Sequence, residues 1–301
     1  MVIGIPRALL YYKYRYLWET FFDELNIKTI VSSESSKKIL QDGTLYSIDE
    51  SCIPSKLYIG HVKSLIGKCD YILVPRIENF GKKEDVCTKF NALYDIAKNT
   101  FPDVKLLDYN IDVTHHASEI NGFINMGKVL GKSYRKSLNA YMKGKLKQKI
   151  YNDSHTISQE KLLEESDKLK ILVVSHPYST YDKLLGYPVI ECIKKENGIP
   201  IYADLGHDKY KELYKNISNC LYWTYNKELI GTMEAYKEKV NGIIFLTAFP
   251  CGPDSLINEL AIRKIKNIPV SNIILDELSS DTGLQTRIES FMDIIKWKGA
   301  K

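Results

Sequence analysis

Three cysteines, Cys52, Cys87 and Cys251, combine chemistry and setting in a way that no other residues of the chain do. Their surroundings read Glu50-Ser51-Cys52-Ile53-Pro54-Ser55-Lys56, Asp85-Val86-Cys87-Thr88-Lys89 and Ala248-Phe249-Pro250-Cys251-Gly252-Pro253-Asp254-Ser255, and each follows a strand-like run. In an α/β sheet the loops after parallel strands collect on one rim, so thiols separated by 35 and 164 residues can converge on one ligand there. Cys52 and Cys251 each precede a proline by two residues, which places them close to helix N-termini, where the partial positive charge favours a thiolate. Thiolate is the form that binds iron, and three of them suggest a metal cluster. Two alternatives stand beside this reading. Each cysteine can be a buried small hydrophobe, or the three can hold zinc with His61 or another fourth ligand. Structural zinc, however, usually draws its ligands in close pairs, and these cysteines are not paired.

The other three cysteines have different settings. Cys69 and Cys220 stand just before strand-like runs, on the opposite rim, and Cys192 falls within a helical stretch. With six cysteines and no C-x-x-C pair, neither a zinc ribbon nor a thioredoxin-type site is expected, and a large cytosolic chain is not expected to carry a disulfide framework.

The elements that position these residues follow from apolar periodicity. Val2 to Ile5 reads as a strand, then Ala8 to Leu25 as an amphipathic helix with Leu9, Tyr12, Tyr16 and Phe21 or Phe22 toward a core. Lys28 to Val31 is the next strand, with Ser32 or Ser33 as the cap of a short helix through Leu40. Leu45 to Ile48 reads as a strand leading to Cys52, and Pro54 opens a helix to about Ile66. Tyr71 to Val74 and Val104 to Leu107 complete this sheet, with Arg76 and Cys87 in the loop between them. From Ala117 to Asp167 the pattern is helical. A second unit starts near Lys170 with Ile171-Leu172-Val173-Val174, a continuous apolar run suited to a parallel strand covered on both faces. The loop His176-Pro177-Tyr178 follows, then a helix from about Lys183 to Glu196. Further strands are expected at Ile199 to Tyr202, Gly242 to Leu246 and Val270 to Leu275, and a last helix at about Leu284 to Trp297. The expected fold is α/β: two flavodoxin-like, Rossmann-like, doubly wound parallel-sheet domains at 1–116 and 169–301, joined by a helical connector at 117–168.

Composition narrows the function classes. At 301 residues and 44% hydrophobic content the chain suits two ordinary globular domains. The net charge of +5, from 42 basic and 37 acidic residues, does not imply nucleic-acid binding. The start Met1-Val2-Ile3-Gly4-Ile5-Pro6-Arg7 lacks a secretory signal pattern, and no apolar run reaches membrane-spanning length, so a cytoplasmic location away from the membrane is expected. Charge is lopsided in one place. Lys128 to Lys149 holds eight basic residues, among them Lys132, Arg135, Lys136, Lys143, Lys145 and Lys147, and no acidic one. It reads as a solvated helix face, or as a docking surface for an acidic partner or a phosphate-bearing ligand. Neither Gly127 to Ser133 nor Gly122 to Val129 satisfies the phosphate-binding loop pattern, and no G-x-G-x-x-G occurs, so an energy source would reside on another chain.

Several stretches together resemble the iron–sulfur family of 2-hydroxyacyl-CoA dehydratase subunits, in particular its stand-alone members related to CoA-substrate-specific enzyme activases. They are Gly4-Ile5-Pro6-Arg7-Ala8-Leu9; Cys52-Ile53-Pro54-Ser55-Lys56 with Gly60-His61; Val74-Pro75-Arg76; His176-Pro177-Tyr178 with Asp182; Leu221-Tyr222-Trp223; Cys251-Gly252-Pro253-Asp254-Ser255; and Asp276-Glu277 followed by Gly283-Leu284-Gln285-Thr286-Arg287. The resemblance implies a cluster of the 4Fe-4S type held between two flavodoxin-like domains by Cys52, Cys87 and Cys251. A double cubane, as in more distant relatives, is less expected. The family's second site usually reads Cys-Pro, whereas Thr88 follows Cys87 here. The resemblance further implies a separate ATP-dependent activase as partner, low-potential electron transfer or cluster-based reduction or dehydration, and an acyl-CoA or other small-molecule substrate; the alternatives are a non-catalytic partner or scaffold of an activase system and a zinc-stabilised small-molecule-binding α/β protein. Arg76 is a candidate to hydrogen-bond the cluster, or else forms a surface salt bridge. His176 and Tyr178 occupy a natural ligand position after a strand, or else a turn held by Pro177. Lys56 and His61 are expected near the same rim, with His61 read first as a packed helix residue. Asp254 and Ser255 are candidates to cap the helix after Cys251.

Overall fold

A computed structural model of the chain describes residues 1–164, 168–206, 209–277 and 281–299. Contacts divide the chain into two units, residues 1–151 with 222–224, and residues 152–221 with 225–301.

The first unit begins β1 (Val2–Ile5), α1 (Tyr11–Glu24), β2 (Lys28–Val31), α2 (Lys37–Leu45), α3 (Ile53–Leu65) and β3 (Tyr71–Leu73). It continues β4 (Arg76–Asn79), α4 (Thr88–Thr100), β5 (Leu106–Leu107), β6 (Asn110–Asp112), α5 (Glu119–Val129) and α6 (Tyr134–Glu164), the last running on into the second unit. Four strands form a sheet in the order β2-β1-β3-β5, every neighbouring pair parallel, with Ile3 facing Thr29 on one side and Tyr71 on the other. β4 and β6 pair separately, also in parallel.

The core of this unit follows from the apolar residues placed on each element. Ile3 and Ile5 of β1 are fully buried, and Leu17, Trp18, Phe21 and Phe22 give α1 its buried side. Trp18 Nε1 donates to Tyr109 Oη at 2.8 Å, and Phe21 meets Phe123 edge-on at 5.0 Å. α2 and α3 approach through glycine. A Cβ on Gly43 would lie 1.9 Å from the Lys56 carbonyl oxygen, and one on Gly60 would lie 2.0 Å from that of Ile39.

The second unit contains β7 (Leu169–Val174), α7 (Pro177–Thr180), α8 (Tyr187–Lys195), β8 (Gly198–Tyr202) and α9 (Thr224–Tyr236). β9 (Gly242–Ala248), α10 (Gly252–Lys264), β10 (Val270–Leu275) and α11 (Asp281–Gly299) complete it. Its sheet has the order β10-β9-β7-β8, all parallel. Counted along the chain, both sheets run second, first, third, fourth, which is the flavodoxin-like order. All seven residues of β9 are buried, as a strand covered on both faces requires. The two units are thus flavodoxin-like parallel sheets interleaved with helices. No helix among the described residues is long and apolar enough to cross a membrane.

Local expectations are corrected in the segment before Cys52. Leu45 to Ile48 is not a strand: α2 extends to Leu45, and Leu45 and Ile48 are 76% and 67% exposed. Tyr46 is the C-cap of α2, and Ile48 lies in the loop that follows it. The cap of α2 is Ser36, whose Oγ accepts from Ile39 N at 3.3 Å, rather than Ser32 or Ser33. Arg76 lies in β4 and not in a loop. The stretch 117–168, where no strand was expected, carries α5 and the 31-residue α6 among its described residues.

Candidate functional site

Cys52, Cys87 and Cys251 occupy equivalent backbone positions: each is the N-cap of a helix, α3, α4 and α10 respectively, and each is half-buried. Their ψ angles of 150°, 133° and 105° are non-helical, while their carbonyl groups already accept the first helical bonds. Cys52 O accepts from Ser55 N at 2.9 Å, Cys87 O from Phe90 N at 2.9 Å, and Cys251 O from Ser255 N at 3.1 Å. Proline in the first turn of α3 and of α10 fixes the chain's entry, as the spacing of Pro54 and Pro253 implies. α4 opens without proline, at Thr88, so the same placement of Cys87 carried no proline signal. All three sulfurs stand where the helix dipole favours a thiolate.

The remaining cysteines lack that setting. Cys69 Sγ donates to Leu65 O at 3.4 Å and fills the space beside Gly4, where an added Cβ would lie 2.6 Å from it. Burial pushes its thiol up, outweighing a backbone hydrogen bond with Gly4. Cys192 lies within α8, and Cys220 is exposed. Among the described residues, no group of three or more His, Cys, Asp or Glu side chains is arranged to hold a metal ion.

In the second unit the ends of the adjacent strands β7 and β9 bring functional side chains together. Ser175 Oγ donates to Leu246 O at 3.0 Å and ties the two strands at their carboxyl ends. The next residue, His176, is the N-cap of α7, and its Nε2 lies 3.0 Å from Asp254 Oδ1. Asn226 Nδ2 donates to the same oxygen at 2.7 Å, and the Cys251 thiol also hydrogen-bonds this carboxyl. His176 and Asp254 are 5% and 6% exposed. Burial opposes the charged form of Asp254, but the His176 charge and the hydrogen bonds of His176, Asn226 and Cys251 outweigh it, so its carboxyl lies below the usual range. The Tyr178 ring stacks on His176 at 4.9 Å with 14° between the planes.

This carboxylate therefore anchors three groups from separate segments and holds the His176 ring in one orientation. It is not a helix cap. That part of the sequence expectation fits Ser255 no better, since its Oγ donates to Cys251 O at 2.7 Å, a bond to a carbonyl rather than to a helix N–H. Sequence reasoning placed His176, Tyr178 and Cys251 near a strand rim but missed Asp254 and Asn226 as partners. The available signal was topological: Asp254 follows the third strand of the unit and His176 the first, and these two strands are neighbours in the flavodoxin-like order.

The rim of the first unit is organised around His61. Ser32 Oγ lies 2.9 Å from its Nδ1 and Ser35 Oγ 3.0 Å from its Nε2. Ser32 Oγ also accepts from Arg7 N at 2.8 Å, joining the loops after β1 and β2. His61 is fully buried, and burial, aided by the Arg7 charge, lowers its pKa to about 4. Both ring nitrogens are thus engaged within the fold, as expected of a packed residue. Lys56, on the same helix, is 5% exposed. Arg76 pairs with Asp95 through two hydrogen bonds of 2.7 and 2.8 Å, approaches Asp108 at 3.6 Å and lies over the Tyr94 ring. The surface ion pair weighed for this residue is present, and it holds the Asp95 carboxyl below its ordinary range.

Among solved structures the chain is similar to SBP FpvC from Pseudomonas aeruginosa in complex with Mn2+, at 9% identity over 98% of this chain and 97% of that one, TM-score 0.31. It is also similar to ZnuA, at 10% identity over 98% of each chain, TM-score 0.29. A third is the Cd-bound periplasmic metal binding protein from Candidatus Liberibacter asiaticus, at 10% identity over 99% of this chain and 100% of that one, TM-score 0.27. At such scores these likenesses carry nothing about this chain's fold or ligands. No curated protein matches it. Residues 2–205, more than half of the chain, match the family described as CoA enzyme activase uncharacterised domain, and the protein belongs to that family.

Proposed function

We propose that this protein is an iron–sulfur partner of a separate ATP-dependent activase, with Cys52, Cys87 and Cys251 as thiolate ligands of a 4Fe-4S cluster. The observation that carries the reading is the shared N-cap position of these three cysteines. Membership of a CoA enzyme activase family supports the activase context. The donor chemistry fits the group, since iron–sulfur clusters are held by cysteine thiolates and helix N-termini favour that form. When bound, such a cluster supplies low-potential one-electron chemistry and, with three protein ligands in place of four, leaves one iron open to an oxygen or sulfur ligand.

The chain's own residues prepare this chemistry in three ways. The helix N-termini at Cys52 and Cys87 favour the charged state, whereas the Cys251 thiol is held by its hydrogen bond to the Asp254 carboxyl and gives that bond up on ligation. Asp254, fixed by His176 and Asn226, anchors the first turn of α10 next to Cys251. Tyr178 stacks on His176 and fixes the ring that holds Asp254. The reaction class is the relay of one low-potential electron, or its use in reducing or dehydrating an acyl-CoA thioester.

Anaerobic reconstitution with ferrous iron and sulfide tests the proposal. Wild type and a Cys69→Ser control are expected to take up roughly four irons and four sulfides per chain and to show a reduced-cluster EPR signal with dithionite. Cys52→Ser, Cys87→Ser and Cys251→Ser are expected to lose both. Full iron retention in all three variants would overturn the ligand assignment.

A further inference from the structure

Helix α6 buries one side within the first unit and leaves the opposite side apolar. Ser137, Ala140, Tyr141 and Gln148 are between 0% and 7% exposed. Gln148 Oε1 accepts from Leu17 N at 3.2 Å, and a Cβ on Gly144 would lie 2.8 Å from the Leu17 carbonyl oxygen, so this side is docked on α1. At about 100° per residue, Met142, Leu146 and Ile150 fall within an arc of about 80° on the other side. They are 55%, 60% and 53% exposed. Three large apolar side chains spaced i, i+4, i+8 make a continuous ridge of the kind that packs into the groove of another helix.

Charge borders this ridge on both sides. Lys136, Lys143 and Lys147 lie along one flank, Lys145 and Lys149 along the other, and Arg135 at its N-terminal end, with no acidic residue from Lys128 to Lys149. Lys143 and Lys145 turn back onto Glu24 and Glu119 at 2.6 and 2.8 Å. Arg135, Lys136, Lys147 and Lys149 make no ion pair among the described residues.

We propose that this face of α6 docks an acidic amphipathic helix of a different protein, whose apolar side covers Met142, Leu146 and Ile150 and whose Asp and Glu side chains meet the unpaired lysines. Charge complementarity selects this occupant. A second copy would bring lysine against lysine. A bilayer surface calls for a broad apolar face with aromatic anchors, whereas this ridge is narrow and aliphatic. The proposal is independent of the cluster assignment.

Site-specific photo-crosslinking in cells of the source organism tests it, using Leu146→p-benzoylphenylalanine in the full chain. The expected adduct maps to a segment of another protein with apolar residues at i and i+3 or i+4, flanked by Asp and Glu. Adding Lys147→Glu and Lys149→Glu is expected to lower the adduct yield by about tenfold or more, with the circular dichroism spectrum unchanged. Crosslinks to this chain's own peptides, crosslinks to lipid, an adduct insensitive to charge reversal, or no adduct would each overturn the proposal.

Discussion

His61 makes the stability of the first unit depend on pH in a defined direction. Its imidazole is buried between Ser32 Oγ and Ser35 Oγ, and burial with the Arg7 charge lowers its pKa from 6.5 to about 4. The folded state therefore holds this proton more weakly than the unfolded chain does. Stability is complete above about pH 6.5, falls as the pH drops toward about 4, and levels off below that value. At 1.36 kcal/mol per pKa unit, the full excursion is on the order of 3 kcal/mol. The assay is urea unfolding of wild type and His61→Asn at intervals from about pH 7.5 to about pH 4. Other titrating groups are common to both proteins and cancel in the difference. Wild type is expected to lose stability more steeply than the variant between about pH 6.5 and about pH 4, while the variant is the less stable of the two at neutral pH because the serine hydroxyls lose a partner. Parallel stability curves for the two proteins, or an imidazole resonance of His61 that titrates near its ordinary 6.5, would refute the reasoning.

Further outcomes follow from the same contacts. Asp254→Ala strands the buried His176 and Asn226 without their acceptor and is expected to cost about 1–3 kcal/mol or more in chemical denaturation, the range for leaving a buried hydrogen-bonding group unsatisfied. In the same variant, alkylation of Cys251 by iodoacetamide is expected to speed up, since the thiol loses its hydrogen bond to that carboxyl. Gly60→Ala forces α2 and α3 apart and is expected to cost at least about 1–3 kcal/mol, whereas Gly252→Ala, where an added Cβ meets nothing within 4 Å, stays within about 0.5 kcal/mol. Arg76→Ala is expected to change stability by about 1 kcal/mol or less and to return the Asp95 carboxyl toward its ordinary pKa, measurable by carboxyl NMR.

The continuous apolar run Ile171-Leu172-Val173-Val174 made β7 legible. Val2–Ile5, Lys28–Val31 and Val270–Leu275 are strands at the expected residues, although polar residues interrupt the last two. The Leu45 to Ile48 run failed because Leu45 is the exposed last residue of a helix and Ile48 an exposed residue of the loop beyond it, a case in which composition without a cross-strand partner misleads. β4 and β6 escaped notice because Arg-Ile-Glu-Asn and Asn-Ile-Asp each hold a single apolar residue. Prolines revealed the helix starts after Cys52 and Cys251, while α4 begins at a threonine and gives no such sign. The Asp254 cluster was illegible for another reason. Its members come from segments 28 and 78 residues apart, and only the order of the strands brings them together.

Native mass spectrometry of this chain, prepared anaerobically, decides whether Cys52, Cys87 and Cys251 are cluster ligands. Wild type is expected at a mass raised by four irons and four sulfides, and each of the three single cysteine-to-serine variants at the apoprotein mass. A wild-type chain at apoprotein mass after reconstitution, or the same added mass in all three variants, would contradict that assignment.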